Sequence, residues 1–255
     1  MRANYHTHTY RCNHAVGTEI EYVETAIENG FQVLGFSDHS PYFFPGEYYS
    51  RFRMRPEELS GYAQTVLELK QKYADKLQIH LGLELEYYPG LLPKLLPFLR
   101  EYPLEYLLLG QHLLGDEMGE HYNGHPTDSE ELLKRYCYQV MEGMNTGLFT
   151  YLAHPDLFFY TGSETIYRKY MGQLCREAKS CAIPLEINLL GMAEDRHYPN
   201  ERFWQIAAEE NCPVVLGVDA HCPESLGWDR YQNRAMEIAQ RYGLEVLDTV
   251  PLRKP

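Results

Sequence analysis

The chain is poor in positive charge: 23 Lys and Arg stand against 36 Asp and Glu, a formal net charge of −13. Nucleic-acid binding normally needs a basic face, so this deficit argues against a nucleic-acid partner. Acidity of this size serves solubility first, and it also suits a protein that holds several cations. No apolar run approaches the roughly 20 residues of a membrane-spanning helix, so no membrane partner is expected. The opening segment, Met1-Arg2-Ala3-Asn4-Tyr5-His6, lacks an apolar stretch of the signal-peptide kind, so the expected location is cytoplasmic. Six cysteines, at 12, 137, 175, 181, 212 and 222, contain no Cys-x-x-Cys and no disulfide-like spacing. That argues against a structural zinc of the thiolate type and leaves most of them as buried thiols. Cys12 and Cys222 stand apart only in lying within two residues of a histidine considered below. Repeats, low-complexity segments and linkers are absent. A length of 255 residues is ordinary for one α/β barrel, and one domain spanning 1–255 is expected.

What is present is an alternation of short apolar runs and helical patterns. Strands are predicted at 2–6, 31–37, 78–86, 105–111, 149–153, 183–188 and 213–219, with a further one near 245–248. Helices are predicted near 18–29, 56–75, 91–101, 129–146, 164–181, 200–211 and 224–242. Thr18 with Glu21 is a capping box, Pro56 fits a first-turn proline, and Gly30 and Gly243 fit helix stops. Runs such as Tyr106-Leu107-Leu108-Leu109 suit strands buried on both faces of a parallel sheet. The pattern predicts an α/β fold, and a distorted seven-stranded barrel is preferred over an open sheet. Polar residues follow nearly every strand, whereas an open sheet gathers them at one switch point. The Tyr- and Phe-rich stretch from Pro41 to Phe52 is the longest loop and reads as a lid or pocket wall.

Those polar residues are mostly histidines. His6-Thr7-His8 places two imidazoles on one side of an extended segment. His14 lies in the loop beyond, and His39, His112, His154 and His221 each follow a later strand, as do Glu84 and Asp219. In βα barrels the C-terminal strand ends carry the chemistry, and a protein that merely buried histidines would scatter them. His80 sits early in its strand and reads as structural, while His121 and His125 read as rim residues. Imidazole and carboxylate donors together suit Zn, Fe or Mn.

The run His6-Thr7-His8, Cys12-Asn13-His14-Ala15-Val16-Gly17-Thr18 and Phe36-Ser37-Asp38-His39-Ser40-Pro41 resembles the PHP (polymerase and histidinol phosphatase) superfamily, most closely its histidinol-phosphate phosphatase branch. Gly82-x-Glu84, Gln111-His112, Ala153-His154-Pro155-Asp156 and Gly217-x-Asp219-Ala220-His221 continue the likeness in order along essentially the whole chain. The resemblance implies a distorted (β/α)7 TIM-like barrel with three divalent metal ions. On it, His6, His8 and Asp219 hold the first ion, and Glu84 bridges the first and second. His112 and His154 complete the second; His14, His39 and His221 hold the third. Asp38 orients a ligand imidazole, or else serves as a turn carboxylate.

The implied activity is hydrolysis of a small-molecule phosphate monoester, most closely L-histidinol phosphate in histidine biosynthesis, by a hydroxide held between metals. Glu84 and Asp219 are then catalytic as well as ligating. Arg196 is the candidate phosphate clamp, because a guanidinium fork matches phosphate oxygens. His197 beside it is a candidate donor or proton source, Arg11 is a further candidate for substrate, and Arg53 and Arg55 are placed to reach in from the lid. The chain departs from the branch after His154-x-Asp156, where a basic residue is usual and Leu157-Phe158-Phe159-Tyr160 stands instead. That stretch either stacks on a flat substrate or packs in the interior. Alternatives are a related phosphoesterase acting on a nucleotide, sugar phosphate or phosphotyrosine, and a metal-dependent amidohydrolase. The latter shares the His-x-His opening but leaves His14 and His39 idle. A non-catalytic module tends to lose ligands, and this chain keeps them.

Overall fold

Short apolar runs become short parallel strands here because both of their faces are covered. The computed structural model describes residues 1–119 and 121–255. Its seven parallel strands are β1 (Ala3–Asn4), β2 (Val33–Phe36), β3 (Gln78–Leu85), β4 (Tyr106–Leu109), β5 (Tyr151–Leu152), β6 (Leu185–Asn188) and β7 (Val214–Gly217). They lie side by side in chain order. The register runs through Asn4↔Leu34, Leu34↔Ile79, Leu83↔Leu107, Leu109↔Leu152, Leu152↔Leu185 and Ile187↔Leu216. The two outer strands then meet. Thr7 bridges Ala220 in parallel, His8 N donates to Ala220 O at 2.9 Å, and Ala220 N donates to His6 O at 3.1 Å. This closure makes the expected (β/α)7 barrel and sets the segment after β1 against the segment after β7.

Helices Glu19–Glu28, Leu59–Lys72, Leu92–Leu99, Glu130–Asn145, Glu164–Ser180, Glu201–Glu209 and Asp229–Tyr242 return the chain between strands or follow the last one. The first begins as predicted, with the Glu21 carboxylate accepting from Thr18 N at 2.6 Å and Thr18 Oγ1 at 2.7 Å. One apolar layer lies between strands and helices. A second fills the lower barrel interior, where Tyr5, Val33, Tyr106, Leu108, Tyr151 and Val215 pack together. Among the described residues no helix is long and apolar enough to cross a membrane.

Several elements differ from expectation. β1 is only two residues long, because the Asn4 side chain takes over the pairing: Nδ2 donates to His6 O and Oδ1 accepts from Val218 N, each at 2.9 Å. The strand near 245–248 reduces to a single bridge, Val214↔Val246. An unpredicted antiparallel hairpin pairs Leu113–Leu114 with His121–Tyr122. An unpredicted helix, Leu189–Ala193, starts where Asn188 Oδ1 accepts from Gly191 N at 2.9 Å. The stretch after Asp156 is interior packing: Leu157 and Phe158 are both 1% exposed, and Phe158 lies 5.1 Å from the Tyr136 ring.

Candidate metal centre

Closure of the barrel brings the polar residues at the strand C-termini into one buried cluster. Glu84 is its hub. Its Oε2 lies 3.5 Å from His6 Nε2, 3.4 Å from His8 Nε2 and 3.1 Å from His39 Nδ1. Its Oε1 lies 2.9 Å from His154 Nε2 and 3.7 Å from His112 Nε2. The two oxygens of one carboxylate therefore divide the imidazoles into two sets. Asp219 Oδ1 faces the first set, 3.3 Å from His6 Nε2 and 3.2 Å from His8 Nε2. At the mouth, His14 Nε2 and His221 Nε2 stand 3.0 Å apart, with His39 completing a third group.

Neighbouring carboxylates and carbonyls turn the ring nitrogens inward. His6 Nδ1 donates to Glu186 Oε1 at 2.8 Å, and His112 Nδ1 donates to Glu86 Oε1 at 3.0 Å. His14 Nδ1 donates to Cys12 O at 2.8 Å and His221 Nδ1 to Asp219 O at 3.0 Å. In the neutral ring with Nδ1 carrying the proton, each Nε2 offers a lone pair. Glu186 also accepts from His154 N and Asn188 Nδ2, both at 3.0 Å, so one buried carboxylate braces residues of three strand ends. Two glycines give the carboxylates room. A Cβ at Gly110 would lie 1.8 Å from Glu84 Oε1, and one at Gly217 would lie 1.7 Å from Glu186 Oε1.

The electrostatics divide the donors into two groups. Burial works against ionised Glu84, yet His112, His39 and His6 outweigh it and hold the carboxylate well below its usual range. Asp219 is lowered likewise, burial being outweighed by His6 and His8. Burial with the neighbouring His221 lowers His8 to about 3, and burial lowers His39. His6 is raised, because Asp219, Glu186 and Glu84 overcome its burial. Against its burial, His112 is likewise raised by Glu84 and Glu86. Metal binding needs deprotonated donors: Glu84, Asp219, His8 and His39 are held in that form, whereas His6 and His112 would give up a proton to a bound ion.

Buried polar atoms in a folded protein nearly always have partners. Here His6 Nε2, His8 Nε2, His39 Nδ1, Glu84 Oε2 and Asp219 Oδ1 are buried, have none, and point at one another. Donors about 2.0–2.1 Å from one tetrahedral ion stand about 3.3 Å apart. The separations above are of that size, so the donor set fits divalent cations, and the groups His6–His8–Asp219, His6–Glu84–His154 and His14–His39–His221 each have ligand-like spacing.

A cavity of about 350 Å³ opens above the cluster, with Phe52, Leu113, Tyr122, Leu190, Glu194 and Tyr198 among its walls. Arg196 lines it too, its Nε donating to Glu194 Oε2 at 2.7 Å and Nη1 to Tyr198 Oη at 2.8 Å. The other basic candidates lie elsewhere. His197 is turned away: it stacks on Phe159 at 4.1 Å and its Nε2 donates to Leu157 O at 2.7 Å. Arg11 is spent on an ion pair with Glu19. Arg53 is buried against Glu86 and Glu117, and Arg55 lies over the Tyr49 ring at 3.8 Å. Asp38 accepts from Thr9 N at 2.9 Å and lies 4.0 Å from His8 Nδ1, so it braces the turn more closely than the imidazole. Burial raises it to about 7. Cys12 is buried beside His8 and His221, and its thiol donates to Thr9 O at 3.2 Å. His80 lies at the other end of the barrel, its Nδ1 3.2 Å from Glu105 Oε1.

The residues missed in the sequence are the walls Tyr122 and Tyr198 and the braces Glu86 and Glu186. The braces carried a faint signal. Each lies two residues from another polar position on its strand, Glu84-x-Glu86 and Glu186-x-Asn188, and so shares that residue's face.

Comparison with known proteins gives a consistent picture. A family model for the PHP domain matches residues 4–189. A probable histidinol-phosphatase of Deinococcus radiodurans is 30% identical over 91% of this chain and 91% of its own length. The histidinol-phosphatase of Bacillus subtilis is 24% identical, covering 88% of this chain and 94% of its own. Among solved structures, histidinol phosphate phosphatase from Lactococcus lactis, complexed with zinc, L-histidinol and phosphate, superposes with a TM-score of 0.74. It is 20% identical, and the match covers 98% of each chain. At that identity the likeness speaks for the fold.

Proposed function

The chain belongs to the PHP domain family, and we propose that within it the chain is a metal-dependent phosphomonoesterase that cleaves L-histidinol phosphate to L-histidinol and phosphate. The observation that carries the reading is the convergence of five partnerless buried donor atoms beneath a cavity lined by an arginine. The relatives that match over most of their length bear the same activity in their names.

His6, His8, Asp219 and Glu84 would hold one ion, Glu84, His112 and His154 a second, and His14, His39 and His221 a third. Divalent ions held there, whether Zn, Mn or Fe, would supply positive charge for phosphoryl oxygens and would acidify a water. The chain's own groups do the rest. Glu84 offers one oxygen to each imidazole set, and its negative charge offsets the repulsion between neighbouring cations. Arg196, held in plane by Glu194 and Tyr198, presents its remaining N–H groups to phosphate. Phe52, Leu113 and Tyr122 give the flat, half-apolar part of the substrate a surface to lie on. Glu194 places a carboxylate at the same wall, where an ammonium group is matched. The buried lower layer beneath the cluster keeps bulk water from entering from below.

The test is a steady-state comparison of histidinol phosphate with a nucleotide, a sugar phosphate and phosphotyrosine on metal-analysed protein. A kcat/KM lead of several decades for histidinol phosphate is expected. A flat profile, or a lead for another ester, would move the substrate assignment elsewhere in the family.

A further inference from the structure

Arg53 is an unusual residue to find inside a lid loop. It is only 1% exposed, and its guanidinium makes three directed bonds. Nη2 donates to Glu86 Oε2 at 3.0 Å, Nε to Glu117 Oε2 at 2.8 Å, and Nη1 to Ser40 O at 2.8 Å. The guanidinium carbon also lies 4.5 Å from the Phe52 ring centroid. Burying a cation is costly unless it is paired and fully hydrogen-bonded, so this placement calls for a reason.

The reason lies one residue further. The second oxygen of Glu86 accepts from His112 Nδ1 at 3.0 Å. His112 Nε2 then faces Glu84 and the cavity. Arg53, Glu86 and His112 thus form a chain from the loop to the centre. The other branch of the guanidinium reaches Glu117, which lies between the two strands of the hairpin whose Leu113 and Tyr122 form the facing cavity wall. Glu86 alone, a buried carboxylate with nothing but an imidazole on one side, would be free to rotate about its own side-chain bonds. With Arg53 on Oε2, only Oε1 is left for His112.

We propose that Arg53 is a positioning residue for the metal centre, acting through Glu86 to fix the ring orientation and tautomer of His112. The inference rests on the metal-centre reading above. It ties ion binding at His112 to the packing of the loop that carries Phe52, since one guanidinium serves both.

The test is chelator competition with zinc on wild-type protein, Arg53→Met, Arg53→Lys, Glu86→Gln and Glu117→Gln, with folding checked by circular dichroism in chelator. Loss of an outer partner of a ligand histidine typically weakens metal binding about 10–100-fold. Arg53→Met and Glu86→Gln are expected to lose that much affinity at one ion while the others keep theirs. Arg53→Lys should recover part of the loss, because it restores charge without the fork. Glu117→Gln removes the charge that Arg53 and Tyr48 meet on the hairpin side, leaves Glu86 untouched, and should leave zinc affinity within about twofold. Wild-type affinity in folded Arg53→Met or Glu86→Gln would overturn the proposal. So would an equal loss in Glu117→Gln, which would make Arg53 a loop anchor only. If Arg53→Met fails to fold, Glu86→Gln decides alone. Failure of the wild-type protein itself to bind zinc would instead remove the metal-centre reading.

Discussion

The two ends of the barrel contain the same kinds of residue and treat them in opposite ways. At the lower end, Glu105 accepts from Lys70 Nζ at 2.7 Å, Leu81 N at 3.1 Å and His80 Nδ1 at 3.2 Å. Tyr106 Oη lies 2.7 Å from Tyr5 O and 2.9 Å from Phe36 O. At the upper end, Glu84, Asp219, His6, His8 and His39 keep buried donor atoms without partners. His80 and Glu84 even share a face of β3. Four residues of rise separate a histidine whose bonds are satisfied within the protein from a carboxylate whose Oε2 has no partner. Polar groups paired in this way add to stability. Polar groups left unpaired in the interior cost stability and are kept for what they bind. Substitutions at the two ends should therefore move different observables.

Glu84→Gln should have the largest effect, lowering kcat/KM by about 10³-fold or more, because each imidazole set loses its shared charge. A loss under tenfold in steady-state assays would break the contrast. Next comes Arg196→Ala, expected to lower kcat/KM by about 10²-fold with bound metal unchanged by elemental analysis. Coincident loss of metal would make Arg196 part of the scaffold. At the lower end Tyr106→Phe should cost about 1–3 kcal/mol in urea unfolding and leave kcat/KM within about threefold.

The smallest effect concerns pH. Burial opposes the Glu105 charge, but hydrogen bonds from His80, Lys70 and Leu81 outweigh it and lower its pKa to about 2. A depressed carboxylate stabilises the fold above its unfolded pKa, and that stability is lost as pH falls through the folded value. Glu105 should thus contribute about 1–2 kcal/mol at neutral pH, after allowance for its half-exposed lysine partner. The gap in unfolding free energy between wild type and Glu105→Gln should narrow as the pH drops from about 5 toward about 3. A gap independent of pH would mean that Glu105 acts through shape alone.

Much of the upper end was legible from sequence because the barrel makes position along a strand equivalent to position in space. A histidine after an apolar run in this fold lies at the mouth, and His39, His112, His154 and His221 follow that rule. His80, early in its run, was separable from them by the same logic. The braces were not legible, because sequence places Glu86 and Glu186 on a face without telling which imidazole nitrogen each one meets. From sequence Arg53 reads as a residue placed to reach in from the lid, since its three partners lie in other segments of the chain. The hairpin Leu113–Leu114 with His121–Tyr122 has strands of two residues, too short for any alternation to appear. The aromatic stretch after Asp156 was open between stacking platform and interior. Burial of Phe158 against Tyr136, and the stacking of Phe159 on His197, place it in the interior rather than in the cavity wall.

The central claim is that the partnerless atoms at the upper end exist to hold metal that drives phosphoester hydrolysis. The most direct test strips the protein with chelator, confirms its fold, and measures histidinol phosphate turnover before and after adding back Zn, Mn or Fe. The account predicts turnover near background in the stripped protein and recovery as about three equivalents of ion bind per chain. Undiminished turnover after complete metal removal would contradict it.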